Sequence, residues 1–599
     1  GRVAGDDERL ELVVAVVEGP GHQHALDQEA VSLAMVLHHA HRGDDPTGDG
    51  APAVAVAHRD RTDGGASDRG TVAHGTVDVP TDPAGVVAAL DELPADDVVV
   101  VVEVGDVVRA EGAGRDPAAR AAAVAAADET LGAVVDAARP ADLILAFSPV
   151  APAAGEEPTP FVVAGPGVRP GSARSATTRR AGYVTLPDIA PTLVARAGAP
   201  VPDAMAGTRI TVGTTAEPGS GARRLADLRG AVEETRFVDR SAGRFLVTLP
   251  IVFAAWTLLV LIWLVLPSGS PRRLLGGFVR WVGLVIAVVP TVTFLVSAAS
   301  VRAWGQPRWF AVTFGIAAGV AAVIALLARR PRWAAPVAVA AAVWLTQVGD
   351  VITGGHLQFD SPLGNSPTVA GRFAGMGNLA FSLLAASTVV LAVGAWELVR
   401  RCAGASAALG AAALVLAVAA VVSGAPGFGA DVGGLLVLAA VAVVVLALLG
   451  GRRLTPGRLV VAATVAVGLL GAATAVDLAR PEDDQTHLAR FARSVTGDDG
   501  ADVIIRKLDA AAASFVRSSL VWIVICTVVL GAAVWLLQRD LVRQVLDHRG
   551  GRTLVAGAAT AGVLGAALND SGVMVPAMMA TVFVPLAVWL LVAPDRAAP

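Results

Sequence analysis

Cysteine, tyrosine, lysine and asparagine are nearly missing from this chain. Its 599 residues hold two cysteines and one tyrosine, a single lysine, Lys507, and three asparagines, Asn365, Asn378 and Asn569. The two cysteines, Cys402 and Cys526, both lie in the apolar half and cannot build a disulfide framework. Lysine, tyrosine and asparagine share AT-rich codons, whereas arginine and alanine abound, which is the usage of a high-GC bacterial genome. The few copies that persist are therefore informative. Charge is scarce too. Only 17% of residues are charged, the net charge is −5, and the arginines are scattered, so no basic face for a nucleic acid is expected.

Apolar residues dominate instead, at 54% with a mean hydropathy of +0.61, more than a soluble chain carries. The excess is uneven. Residues 1–240 hold most of the Asp, Glu and His, and almost every long apolar run follows Phe245. This shift predicts two domains, 1–240 and 241–599. No charged and apolar leader precedes Gly1, which reads as a trimmed start.

Apolar windows of a length that spans a bilayer fall at 245–266, 274–298, 308–328, 333–353, 379–399, 404–423, 434–450, 457–477, 518–538, 553–569 and 572–593. They predict an all-α polytopic membrane domain of about eleven helices. Every second connection is rich in arginine, as at Arg272/Arg273, Arg329/Arg330/Arg332, Arg400/Arg401, Arg452/Arg453/Arg458 and Arg539/Arg543/Arg549/Arg552. The positive-inside rule makes these cytoplasmic. Residues 1–240 are then extracytoplasmic, the C-terminus is cytoplasmic, and the expected location is a bacterial plasma membrane.

The opposite connections are long or glycine-rich: GDVITGGHLQFDSPLGNSPTVAGRFAGMGN from Gly349, GAPGFGADVGG from Gly424, a stretch over 478–517, and NDSG from Asn569. All three asparagines and the lysine fall in them. Ionisable and amide groups at a span boundary are costly unless solvated, paired or used, and Asp350, Asp431, Asp477 and Asp570 all sit at such boundaries. One reading makes each a helix cap or a solvated carboxylate. The other makes the set an outward-facing polar cavity. In that second reading Arg372, Asn378, Asp431, His487, Arg490, Lys507, Asn569 and Asp570 line one substrate site. Its arginine forks and lysine charge suit phosphate oxygens, and its histidine moves a proton near neutral pH. For the 478–517 stretch the alternative is an amphipathic helix touching lipid headgroups. Arg280 and Glu397 lie near cytoplasmic span ends and are expected to snorkel.

In the outer domain, short β-type runs occur at 11–17, 51–57, 98–104, 142–147 and 161–164, with helical stretches at 27–41, 84–93 and 117–138. Alternating strands and helices imply a mostly parallel sheet covered on both faces. Ligands of such folds bind at the carboxyl ends of strands, here near Glu103, Asp106 and Ser148.

The run ADLILAFSPV…FVVAGPGVRP…TTRRAGYVTLPDIAPTL…AG over 141–207 resembles the C-terminal part of the alkaline phosphatase superfamily fold. With the later GRFAGMGN, GADVGG, THLARFAR and NDSG runs, the whole chain is similar to a group of uncharacterised multi-pass membrane proteins of actinobacterial and Gram-positive type. Active members of that superfamily carry a two-metal site with an Asp-His pair after the strand that reads LILAF here. This chain has Ser148-Pro149-Val150 in its place, and no histidine between His74 and His356. His22, His24, His38, His39 and His41 have metal-like spacing but fall in a helix-and-loop region. The resemblance therefore implies the fold without the metal chemistry, and neither metal nor cofactor is expected.

The reading that follows is an envelope membrane protein handling a lipid-linked or phosphate-bearing precursor at the outer leaflet, as a transporter, flippase or polymer-assembly factor, with membrane lipid as its partner. Two alternatives stand beside it: a phospho-group transferase or hydrolase of the same superfamily, and a scaffold. The topology is tested at Cys402 in a Cys526→Ser background. A membrane-impermeant thiol reagent should label inverted vesicles and leave intact cells unlabelled; labelling of intact cells reverses the orientation.

Overall fold

The computed structural model describes strand segments within residues 12–103, then 116–149, 157–213, 221–453 and 512–592 with short breaks, and isolated positions at 84–88, 110 and 455–479. It divides into two compact units at 232/233, eight residues before the boundary expected from composition.

The first unit is built on a seven-stranded sheet. Strands β1 (Leu12–Val16), β2 (Val54–Ala57), β5 (Val99–Glu103) and β6 (Leu143–Phe147) lie parallel in the order β2-β5-β1-β6. The hairpin of β3 (Gly70–Val72) and β4 (Gly75–Val77) extends one edge antiparallel, and β7 (Phe161–Ala164) closes the other. The central strands are continuous runs of valine and leucine, as a sheet covered on both faces requires. Helix α1 (Pro117–Ala137) links β5 to β6 and starts at Asp116, whose carboxylate accepts the Ala118 N–H. Leu143 and Leu145 of β6 pack with Ile189, Leu193 and Val194 of α2 (Ile189–Arg196). Gly165 must be glycine: its φ is 137°, and a Cβ there would meet the Asp142 carbonyl oxygen at 2.4 Å.

The TTRR and PDIAPTL segments are tied together by one buried carboxylate. Asp188 accepts from the Thr177 and Thr185 hydroxyls and from the Thr185 and Thr208 N–H groups. Thr192 then accepts the Ile210 N–H, fixing β9 (Thr211–Val212), which pairs with β8 (Ala173–Arg174). Every donor to Asp188, the Thr208 hydroxyl included, comes from Thr177, Thr185 or Thr208 of the surrounding segments, so this motif holds the local fold.

The second unit is a helical bundle. Its helices are α3 (Gly221–Val265), α4 (Ser270–Val296), α5 (Gln306–Leu327), α6 (Ala334–Ile352), α7 (Asn378–Gly424), α8 (Val432–Leu449), α9 (Val521–Leu537), α10 (Arg539–Asp547), α11 (Arg549–Leu568) and α12 (Met574–Leu591). Among the described residues eight are long and apolar enough to cross a bilayer, or nine if α9 and α10 count as one bent span. This is a multi-pass membrane protein. The lower count than eleven has two sources. Two of the expected windows fall within α7, which breaks at Gly404 with φ 85°, and the window 457–477 lies largely outside the described residues. Helix α3 has 45 residues, roughly 68 Å at 1.5 Å per residue. It therefore outruns the hydrocarbon core of about 30 Å, and its polar first half projects beyond it.

Small residues set the helix spacing. The buried stripe of α11 is Thr553, Gly557, Ala561 and Gly565, one residue every four, so neighbouring backbones approach closely. A Cβ on Gly557 would lie 2.8 Å from Val389 of α7 and 3.1 Å from Val445 of α8; one on Gly565 would lie 2.6 Å from Val575 of α12. Within α7, two turns before the break at Gly404, Glu397 corrects the snorkelling expectation. It is 3% exposed, with His548 Nε2 at 3.4 Å and Arg400 Nη2 at 3.5 Å. The Arg400 guanidinium, the His548 imidazole and the first turn of α11 take the place of water. Arg280 likewise lays its guanidinium over Trp589, 3.8 Å from the ring centroid.

The stripe makes a direct prediction. Gly557→Leu should lower the unfolding temperature of the detergent-solubilised protein, because overpacking costs about 1–3 kcal/mol. Gly531→Leu on α9, where a Cβ meets nothing within 4 Å, should not.

Candidate functional site

The connection 353–377 between α6 and α7 is pinned by its own polar side chains. Asp350, in the last turn of α6, accepts the N–H groups of Leu357 and Gln358 at 2.6 and 3.1 Å. Gln358 uses its carbonyl oxygen to accept the Asn365 N–H and its side-chain oxygen to accept the Gly377 N–H, at the start of α7. Asn365 donates from its amide to the Gly375 carbonyl at 3.1 Å. Asn365 is thus a buried tie within the loop, as is Gln358.

Three connections meet at this end of the bundle. The Met376 N–H donates to the Gly429 carbonyl at 2.8 Å, joining 353–377 to the turn after α7. That turn ends at Asp431, whose carboxylate caps α8 by accepting the Gly434 N–H at 3.0 Å. A Cβ on Gly433 would lie 3.1 Å from Leu568 O and 3.7 Å from Asp431 Oδ1, so the end of α11 abuts the cap. Asn569, buried there, accepts the Ser571 N–H, and Ser571 Oγ accepts from the Asn378 amide. Finally, the Val573 N–H donates to Ser514 Oγ at 2.9 Å.

Of the eight residues expected to line one site, Arg372, Asn378, Asp431 and Asn569 are linked through these bonds or their immediate neighbours. Arg372 donates to the Met376 carbonyl at 2.6 Å and is half-buried. His487, Arg490, Lys507 and Asp570 lie outside the described residues, as do Asp477, Asp106 and the five early histidines. Asp431 caps α8, the first of the two readings offered for boundary carboxylates, and Asp350 ties the start of the 353–377 connection back to α6. Gln358, Ser571 and Ser514 were not singled out from sequence; serine and glutamine carry no rarity signal, and their partners are distant in the chain.

The N-termini of α7, α8 and α12 come together here. Each turns the positive end of a helix dipole toward this end of the bundle, which favours an anion; at α12 the Val573, Met574 and Val575 N–H groups are already taken by Ser514 Oγ and by the Ser571 and Gly572 carbonyls. Asp431 caps α8, whereas Gly377 and Val573, at the starts of α7 and α12, provide no side-chain cap.

An acidic group lies on the same loop. Thr235 of α3 donates to Asp360 Oδ2 at 2.8 Å, and Ser366 and Thr368 donate to the two oxygens of Asp239. Asp360 holds φ 49°. Burial, with the Asp239 and Glu234 carboxylates adding to it and the Thr235 hydroxyl opposing it, pushes the Asp360 carboxyl up to about 7. A carboxyl raised in the folded state binds more protons there than in the unfolded chain, so its contribution favours folding at low pH. That contribution is lost as pH rises from about 4 through about 7. Asp360→Asn should therefore stabilise the protein relative to wild type above pH 7, and the difference should shrink toward pH 4. A difference in unfolding temperature that is flat across this range would remove Asp360 from the account.

Comparison of the chain with protein-family models, with curated proteins and with solved structures returns no match. What this end of the bundle does is read from its chemistry.

Proposed function

We propose that the protein is an envelope membrane protein that receives a lipid-linked or phosphate-bearing substrate at the end of the bundle where the three connections meet. In this reading that end faces outward. The first unit is a non-catalytic, alkaline-phosphatase-like outer domain, and the bundle acts as a transporter, flippase or polymer-assembly factor. The observation that carries the reading is the joining of 353–377, 425–431 and 569–573 beside the N-termini of α7, α8 and α12, with Arg372, Asn378, Asp431 and Asn569 among the joined residues. Converging positive helix-dipole ends beside arginine suit a phosphate group. His487, Arg490, Lys507 and Asp570 complete the proposed set from sequence.

The superfamily enzyme is a second reading, favoured by the mostly parallel sheet of the first unit. Metal-dependent phosphoester turnover abolished by Asp106→Ala would establish it and displace the first.

The substrate reading is tested by native mass spectrometry of the full-length protein with short-chain phosphatidic acid and the matching diacylglycerol. Phosphatidic acid should bind preferentially. Arg490→Gln and Lys507→Gln should each weaken it about tenfold, the equivalent of one charge-assisted hydrogen bond. Equal binding of the two lipids, or undiminished binding by both variants, overturns the reading.

A further inference from the structure

The passage from α9 to α11 holds an element with two unlike sides. Helix α10 leaves α9 at 101°. Its apolar residues Leu541, Val542, Val545 and Leu546 recur at i, i+1, i+4 and i+5, which places them on one stripe. Each is half-buried, while Arg539, Asp540, Arg543, Gln544 and Asp547 are exposed.

The two ends of α10 fix its depth. Helix α9 exposes Trp522, Val528, Trp535 and Leu536, an apolar surface suited to lipid, and 17 residues give it roughly 26 Å. A helix set nearly at right angles to the end of such a span runs along the face of the bilayer. At the other end, His548 accepts the Gly551 N–H through Nδ1 at 3.4 Å and turns Nε2 toward Glu397 of α7. The C-terminal end of α10 is thus tethered to the bundle.

We propose that α10 is an interfacial helix docked on the boundary between lipid headgroups and acyl chains. Leu541, Val542, Val545 and Leu546 are immersed, and Arg539 and Arg543 meet lipid phosphate. Two arguments select a lipid surface over a protein. Four aliphatic side chains on two turns fall well short of the roughly 800 Å² per partner that a stable protein interface buries, whereas shallow insertion needs only an amphipathic turn or two. The stretch 539–552 also carries Arg539, Arg543, Arg549 and Arg552 against Asp540 and Asp547, the excess an anionic leaflet attracts. The Arg543–Asp540 pair, 3.7 Å apart with both side chains largely in water, holds its arginine weakly.

The test uses the full-length protein in nanodiscs containing phosphatidylglycerol, with Cys402→Ser and Cys526→Ser as background. Leu541→Cys, Arg543→Cys, Val545→Cys and Asp547→Cys are made singly and labelled with an environment-sensitive fluorophore. Labels at 541 and 545 should be blue-shifted and quenched several-fold more strongly by doxyl lipids than by iodide, and labels at 543 and 547 should show the reverse. Equal iodide quenching at all four positions puts the helix clear of the bilayer and overturns the proposal. Shielding of 541 and 545 from both quenchers overturns it in favour of a protein surface or a second copy over the apolar stripe.

Discussion

A peptide group at the edge of a bilayer must find its hydrogen-bond partner inside the protein or in the thin polar layer beside it. The organisation of the helical unit follows from that demand at one end. The chain returns from α6 to α7 through 25 residues, and buried side chains meet the backbone there: Asp350 closes the first turn, and Gln358 and Asn365 tie its two limbs together. The Met376 N–H then bonds to a different connection, so the loop and its neighbour position each other. The same ties set where Arg372 and Asn378 stand.

Close packing between helices makes that meeting possible. Lipid tails supply little hydrophobic drive for one helix to associate with another, so contact area and backbone proximity matter more than in water. The Thr553, Gly557, Ala561 and Gly565 stripe lets α11 lie against α7, α8 and α12 at once. Its C-terminal end, with Asn569, is thereby delivered to the Asp431 cap. At the opposite end the same arrangement brings Glu397 to His548 and Arg400, where a buried carboxylate meets an imidazole, a guanidinium and the start of α11. Asp188 plays a comparable part in the first unit, with hydroxyl and amide donors in place of guanidinium and imidazole.

Periodicity and composition made much of the architecture legible. The central strands coincide with β-type valine and leucine runs, and the apolar windows outside 457–477 coincide with helices. The 70–77 hairpin was missed because its strands are three residues long and hold glycine, which gives no alternation to read. Glu397 was misjudged because His548 is 151 positions away. Boundary carboxylates could be read as caps or as ligands; Asp431 shows a capping bond and Asp350 a loop tie, and the chemistry of a carboxylate at a helix end is the same in either use. Gln358, Ser514 and Ser571 gave no sign at all, since common residue types acquire meaning only from what they face.

The sequence by itself determined that this chain has a polar α/β unit followed by apolar helices, because apolar runs, strand-length valine stretches and glycine placement are local properties. Rare residue types also marked the connections worth attention. Only the tertiary structure decided which connections meet, because Met376 with Gly429, Asn378 with Ser571, and Val573 with Ser514 are pairings between separate segments. No spacing rule encodes those bonds; they arise when α11 packs closely enough for three helix N-termini to share one end of the bundle.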